Sequence, residues 1–534
     1  MNIAYPILYI ALMAFLPLVF STVRSMSREK LRDRVFMKTV GKDYLRTFPT
    51  VALVSLPLVA IPQFARAYVI ALHLVFMWMV IMEIGHVWLF GARMGLNTFY
   101  SLFVTNMKET AEYIKNNQTK AQWALILAIY LAPLAALWFI RPVVFSPHWT
   151  RAAWGCALAL IAIPLIRNFF KKGAKHKPSY VLNPFVSVFY HYVLYRRQYG
   201  ALKRQIEAHA APRFEGFTSE IPCDVRETHV VCIGESSNAM HHSYHGYARR
   251  TNEFTEALGD IVSVRGVRSQ YAQTLPSLEK TITFATDAEP GLLYSKGSII
   301  DYFKDAGFKV FWLSNQYALE DTAITAMAGH ADVRKCFNFS SMKGFETAGY
   351  DGTLLPEFKR TLEDPAPKKV IFLHMIGSHS AYVNRYPAEF SHFRGAAPGK
   401  EHLSSAATEM LNTYDDSIRY TDWVIAEFVK ALKERGDTDA ESLVYFSDHG
   451  EDCYDTTDDK MLGHSQLANA PMTSVPLQMW VSPKLKELRP GFAGRMGKPA
   501  PAYRLEDLIH AIIDLSGLKN PDFDISKSIW GGAS

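Results

Sequence analysis

The 534-residue chain is poor in cysteine, with five in all, and that shortage excludes a small scaffold stapled by disulfides. Its first third is poor in acid. Residues 1–177 carry 6 Asp+Glu against 20 Lys+Arg, a net charge of +14, whereas the other 357 residues carry 45 against 37, a net −8. Internal repeats and low-complexity tracts are absent, and with 49% hydrophobic residues disorder is excluded as the main state. The overall charge of +6 is a mild excess and gives no ground for a nucleic-acid partner. Two parts of opposite sign imply two environments.

Hydropathy supplies the first environment. Ile3–Phe20 is an uncharged run of 18 residues, long enough for a hydrocarbon core of about 30 Å. It lacks a basic stretch before it and a small-residue cleavage site after it, so it reads as an anchor rather than a cleaved signal. Phe48–Phe64 and Ala67–Phe90 form a hairpin around Arg66, Ala121–Ile140 follows, and Ala152–Ile166 is a short run between Arg151 and Arg167. The expectation is a transmembrane domain of five spans over residues 1–170. Residues 171–214 open with Lys171, Lys172, Lys175 and Lys177 and continue with mixed aromatic and basic residues, the pattern of an interfacial amphipathic helix and linker. Within the third span lie Glu83 and His86, with His73 earlier; ionisable groups at such depth are functional candidates, and bonding to a partner helix or snorkelling explains them equally well.

From residue 215 to 534 the pattern becomes short apolar runs alternating with helical stretches. Strands are expected at Thr228–Gly234, Lys309–Ser314, Lys369–His374 and Leu443–Ser447, and helices at Asp301–Ala306, Leu354–Leu362, Asp416–Lys433 and Leu505–Leu515. This is an α/β domain with a mostly parallel sheet and helices on both faces. Sites in such sheets form beyond the carboxyl ends of strands. Glu235 follows one strand, His374 closes another, and Asp448-His449 follows a third. Acidic and imidazole groups at three strand ends converge in the way a divalent metal requires. A capping Asp-His pair and a carboxylate stabilised at a helix N-terminus are the alternatives.

At these residues the chain resembles a known family. The segments IGESSNAMHHSYHGYARRT (233–251), TLPSLEKTITFA (274–285), LHMIGSHSAYVNRYP (373–387) and SDHGE (447–451) look like those of membrane-bound phosphoethanolamine transferases. The resemblance implies a sulfatase-like, alkaline-phosphatase-superfamily catalytic domain on the periplasmic face of a bacterial inner membrane, joined to five spans. It implies one zinc site made by Glu235, Thr274, Asp448 and His449, with Thr274 as the nucleophile. A threonine hydroxyl is too weak an acid to attack a phosphodiester unaided, and zinc supplies the acidity. The bland alternative for Thr274 is a turn or N-cap residue, since Pro276 and Glu279 follow.

Carried over position by position, the resemblance also places His379 and His464 against the transferred group or a second metal. Ser101, Thr105 and Glu109 are spaced to share one helical face, where the family has Asn-x3-Thr-x3-Glu facing the lipid donor's head group; serine stands here in place of the asparagine. His241, His242 and His245 are expected on the surface or on the acceptor side. Phosphatidylethanolamine would be the donor and lipopolysaccharide the acceptor, with core heptose favoured over lipid A, and the enzyme would be a monomer. Transfer to lipid A would reduce surface negative charge and weaken cationic peptides such as polymyxin. Rivals are a phosphoglycerol transferase of the same fold and a non-catalytic membrane-anchored lipid- or glycan-binding protein. A sulfatase is disfavoured because the soluble part has no Cys-x-Pro-x-Arg or Ser-x-Pro-x-Arg.

The charge pattern opposes this placement. Arg24, Arg28, Lys30, Arg32, Arg34, Lys38, Lys42 and Arg46 follow the first span, and the positive-inside rule would put that loop, and with five spans the C-terminal domain, in the cytoplasm. The lipopolysaccharide chemistry requires the other side. A reporter fused after Ser534 is expected to be active in the periplasm; activity only in the cytoplasm would overturn the topology.

Overall fold

The computed structural model describes residues 4–25, 50–58, 61–90 and 120–138 with a few isolated positions among the first 213, and residues 214–531 except 317–321, 338–348, 459–460, 465–467 and 497–501. The chain forms two units, residues 1–197 and 198–534.

In the first unit three long apolar helices are described: α1 (Ala4–Ser25), α2 (Ala65–Phe90) and α3 (Lys120–Trp138). Over Ala65–His86, α2 is long and apolar enough to cross a membrane, with a mean hydropathy of 2.0, whereas Pro6–Phe20 is a shorter apolar stretch. The expectation of five spans is therefore not reproduced among the described residues, where one helix meets both length and composition. At about 1.5 Å per residue, the apolar part of α1 falls short of a full hydrocarbon core. Of the second expected span residues 50–58 are helical, and α3 corresponds to the fourth. The fifth span, the interfacial segment and Ser101, Thr105 and Glu109 lie outside the described residues. Ile10, Met13 and Ala14 of α1 pack with Val69, Met77 and Val80 of α2. His73 lies in the same contact: the Tyr9 hydroxyl bonds its Nδ1, and its Nε2 donates to the Tyr130 carbonyl at 2.9 Å. An imidazole among apolar side chains is thus satisfied by partners on two neighbouring helices, which is the bland one of the two expectations.

The second unit is built on a seven-stranded sheet. Its strands are β1 (Glu227–Gly234), β2 (Val262–Val264), β3 (Lys309–Ser314), β4 (Val333–Cys336), β5 (Lys368–His374), β6 (Ala440–Ser447) and β7 (Leu477–Val481). The order is β2-β7-β6-β1-β5-β3-β4. The run from β6 to β4 is parallel, and β7 alone is reversed, antiparallel to both β6 and β2. The sheet is mixed, with a parallel centre. β1 is buried along its whole length, as a central parallel strand must be. Its side chains alternate between two cores: Val231 and Ile233 enter one, Val230 and Cys232 the other.

Helices cover both faces. On the first lie α4 (Thr274–Thr281), α5 (Ile299–Asp305), α6 (Ala323–Ala328) and, later in the chain, α9 (Leu508–Ser516). On the second lie α7 (Leu354–Leu362) and α8 (Ser405–Lys433), which contribute Leu354, Phe358, Val424 and Phe428. Helix α8 starts well before the expected Asp416 because Ser404 caps it, its hydroxyl accepting from the Ala407 amide at 3.2 Å. Ser298 and Asp301 form a capping box that fixes the start of α5.

Register then sets the site. Ile233 of β1 pairs with His374 of β5, Ser314 of β3 pairs with the same His374, and Gly234 pairs with Ser447 of β6. The residues that leave these strands emerge at one level along one edge.

A buried polar network ties the loop after β1 to α8. His241 and His242 are 2% and 3% exposed, so the expectation of surface histidines fails for both. His241 Nδ1 lies 2.7 Å from Asp415 Oδ1 and Nε2 lies 3.1 Å from Asp455 Oδ1, so both ring nitrogens face carboxylates. Asp415 also accepts from Tyr247 and Arg249, each at 2.7 Å. Burial opposes the charge on His241, but the two carboxylates outweigh it and lift its pKa to about 10. A pKa raised above the unfolded value of about 6.5 stabilises the fold fully below pH 6.5, and that stabilisation is lost as pH rises towards 10. Denaturant unfolding across this window is expected to show a decline on the order of a few kcal/mol. His241→Asn should flatten that decline, and parallel wild-type and variant profiles would contradict it.

Candidate active site

Three side chains converge at the carboxyl edge of the sheet. Glu235, Asp448 and His449 are buried, and one potential ligand atom from each lies within 4.8 Å of the others. His449 Nε2 is 3.2 Å from Glu235 Oε1 and 3.6 Å from Asp448 Oδ2. The other ring nitrogen, Nδ1, donates to the Gly450 carbonyl at 2.9 Å, which leaves Nε2 facing the carboxylates. Asp448 is held by one oxygen only: Oδ1 accepts from the His449 and Ser236 amides at 2.7 and 3.2 Å. Its Oδ2 is buried and makes no hydrogen bond. A buried carboxylate oxygen without a donor, beside a second carboxylate and an imidazole nitrogen, fits a divalent cation.

The electrostatics point the same way. Burial raises the Glu235 pKa, but the His449 hydrogen bond and charge more than offset it and bring the group down to about 2. Burial and then the Glu235 charge push Asp448 up to about 7. Burial opposes protonation of His449, yet Asp448 and Glu235 lift it to about 10. Glu235 stays ionised, while His449 and in part Asp448 hold protons that relieve the negative charge, which is the work a metal ion does when bound.

Thr274 completes the set. It is the first residue of α4, preceded by Gln273 as N-cap, so it is not itself the capping side chain. Its hydroxyl donates to Glu235 Oε1 at 2.9 Å and lies 3.5 Å from His449 Nε2. Ser277, one turn on, donates to the Asp448 carbonyl at 2.6 Å and locks α4 against the end of β6. The helix N-terminus behind Thr274 favours an incoming phosphate. Two carboxylates and one imidazole nitrogen form a donor set that fits a divalent cation, and the Thr274 hydroxyl stands beside it.

Two glycines allow the close packing. Gly377 has φ +51°, and a Cβ there would come within 2.7 Å of the Glu235 carbonyl oxygen. At Gly450 a Cβ would meet the Pro471 and Ser474 carbonyl oxygens at 2.3 and 2.9 Å. Ser236, directly after Glu235, sits at φ +56°, a strained conformation for a non-glycine residue.

The remaining candidates separate. His464 lies beside His449, the rings tilted by 49° with centroids 4.7 Å apart, and its Nδ1 is 2.7 Å from Glu451 Oε1. His379 is half-buried on the loop after β5, and its charge favours the Glu235 carboxylate. His374 does not join the three converging ligands. It lines a cavity of about 60 Å³ beside Thr274, together with Leu278, Trp312 and Gln316. Its ring meets Trp312 edge-on, and burial lowers its pKa to about 4 although the Glu235 charge opposes this. Gln316 was not anticipated: its Nε2 donates to Glu235 Oε2 at 3.1 Å and to the Met375 carbonyl at 2.8 Å. Gln316 lies just beyond the carboxyl end of β3, so the strand-end rule that flagged Glu235 and Asp448 applies to it as well.

The geometry defines an α/β domain with a candidate metal cluster at the carboxyl edge of its sheet, and comparison with known proteins gives its class. The Sulfatase family model matches residues 227–518. The chain is 30% identical over 467 residues to phosphoethanolamine transferase EptC of Escherichia coli O18:K1:H7, covering 83% of this chain and 78% of that protein. It is 29% identical, with the same coverage, to phosphoethanolamine transferase CptA of Salmonella typhimurium. The crystal structure of the C-terminal periplasmic domain of E. coli EptC, a complex with Zn, is similar with a TM-score of 0.56 and 31% identity over 60% of this chain and 90% of that one. An integral membrane protein, lipooligosaccharide phosphoethanolamine transferase A of Neisseria meningitidis, shares the fold over 98% of both chains, with a TM-score of 0.66 and 20% identity. The chain belongs to the phosphoethanolamine transferase family of sulfatase-like enzymes, and it is a transferase.

Zinc titrated into metal-free protein is expected to raise its melting temperature, by an amount equivalent to about 2.7 kcal/mol at a hundred times Kd. Asp448→Asn should lose both the shift and the bound zinc measured by elemental analysis. An unchanged zinc content in that variant would contradict the site.

Proposed function

We propose that this enzyme transfers phosphoethanolamine from phosphatidylethanolamine to a lipopolysaccharide acceptor, with Thr274 as nucleophile and zinc held by Glu235, Thr274, Asp448 and His449. The observation that carries the proposal is the Thr274 hydroxyl 2.9 Å from Glu235 and 3.5 Å from His449, at the head of a helix. Zinc, when bound, supplies acidity to the hydroxyl and polarises the phosphoryl group. Thr274 Oγ attacks phosphorus, the bond from phosphorus to the diacylglycerol oxygen breaks, and phosphoethanolamine-threonine and diacylglycerol result. The threonine proton passes to solvent as the oxygen–phosphorus bond forms, and diacylglycerol leaves with a proton supplied by His379 or His464. An acceptor hydroxyl or phosphate then displaces the threonine oxygen, which regains its proton. His379 and His464 stabilise phosphoryl oxygens or protonate the leaving groups.

Placement follows the relatives. One is a periplasmic domain and another an integral membrane protein, which supports an inner-membrane enzyme with its catalytic domain in the periplasm. The corresponding division is a five-span part over 1–170, an interfacial segment over 171–214 and a catalytic domain over 215–534. Core heptose is favoured as acceptor: Cys223, Cys232, Cys336 and Cys453 are all free, whereas the family resemblance implies several disulfides in lipid A-modifying members.

Diacylglycerol release from fluorescent phosphatidylethanolamine tests the proposal. Thr274→Ala should lower the rate on the order of a thousandfold or more, with the fold intact. Thr274→Ser, which keeps a hydroxyl, should retain measurable activity. A folded Thr274→Ala that still releases diacylglycerol at the wild-type rate would overturn the mechanism.

A further inference from the structure

The site contains a carboxylate that no step above uses. Glu451 is 1% exposed and sits two residues beyond His449. Its Oε1 is 2.7 Å from His464 Nδ1, and its Oε2 accepts from the Tyr382 hydroxyl at 3.0 Å. A carboxylate only accepts, so Nδ1 carries the proton and Nε2 is the ring nitrogen left for a ligand. The ring so held lies 4.7 Å from that of His449, tilted by 49°, and its side chain keeps 35% exposure at the crevice.

The carboxylate is not required to hold the loop. Backbone bonds already do this: the Asp452 amide donates to the Gly463 carbonyl at 2.8 Å and the Gly463 amide returns the bond at 3.1 Å. The loop is shaped around the pair. Gly463 has φ +62°, and a Cβ there would approach Glu451 Oε2 to 3.4 Å. Tyr382 is fully buried, and its hydroxyl fixes the carboxylate from the side opposite His464.

We infer that Glu451, backed by Tyr382, is a positioning residue that fixes the tautomer and orientation of His464 so that Nε2 faces the transferred phosphoryl group. This rests on the transfer reaction proposed above. An imidazole in solution prefers neither the single orientation nor the tautomer needed here, and a buried carboxylate imposes both.

The test uses the full-length, zinc-loaded enzyme. Glu451→Ala and His464→Ala should each lower kcat for diacylglycerol release about tenfold to a hundredfold, with KM and zinc content little changed. The double variant should be no worse than either single one, because the two residues act as a unit. Glu451→Gln keeps an acceptor for Nδ1–H and should recover most of the rate. Nitrogen NMR of labelled histidine should show the Nδ1–H tautomer of His464 in wild type and in Glu451→Gln, and its loss in Glu451→Ala. Multiplicative effects of the two alanine variants, a Glu451→Gln variant as slow as Glu451→Ala, or an unchanged His464 tautomer in Glu451→Ala would overturn the inference. If wild type itself releases no diacylglycerol, the transfer reading fails, and the tautomer measurement still decides whether Glu451 positions His464.

Discussion

Two buried carboxylates, Glu235 and Asp448, face one buried imidazole at the carboxyl edge of the sheet. Such a group of charges is costly without a counter-ion, since each ionised carboxylate has lost most of its hydration. In the metal-free protein the cost is relieved by protons, held on His449 and shared towards Asp448. A divalent cation relieves it better. The unbonded Oδ2 of Asp448 and the inward Nε2 of His449 face the place such a cation would take. Thr274 stands at the same place: its hydroxyl donates to Glu235, one of the two carboxylates.

The fold serves this constraint through register. β1, β5 and β6 end at the same level because Gly234 lies opposite Ser447 and Ile233 opposite His374. A slip of one residue in any of these strands would turn the site residues to the other face of the sheet and separate the ligands. The depth of burial of β1 makes such a slip costly, since its side chains feed two cores. Helix α4 then brings Thr274 from a distant part of the chain and is secured by the Ser277 bond to the Asp448 carbonyl.

Much of this was legible in the residues. The four expected strands match β1, β3, β5 and β6 to within three residues at their starts, because buried parallel strands are continuous apolar runs bounded by turns. The short strands β2 and β4 were not legible: three and four residues long, at the sheet edges, they carry too few apolar side chains to stand out. The first eleven residues of α8 were hidden by their polarity, and a serine cap rather than a hydrophobic stripe sets its start. Glu235, Asp448 and His449 could be picked out because each follows a strand. Thr274 could not be separated from a helix cap on spacing alone, and the family resemblance carried that choice. His374 satisfied the strand-end rule as well as Glu235 did, but the pleat turns its ring towards Trp312 and the cavity. Gln316, just past the end of β3, was open to the same strand-end rule, whereas Glu451 acts through another side chain, a role with no pattern in the sequence. The histidines after Glu235 looked like surface residues, but carboxylates on α8 and the loop at Asp455 pull His241 into the interior.

The central claim is that Thr274 carries the phosphoethanolamine group between donor and acceptor. Peptide mass spectrometry of the zinc-loaded enzyme, quenched after mixing with phosphatidylethanolamine in the absence of acceptor, tests it directly. The account predicts one phosphoethanolamine on the peptide containing Thr274, removed when lipopolysaccharide is added. Diacylglycerol formed at the full rate while that peptide stays unmodified, or carries the group on another residue, would contradict it.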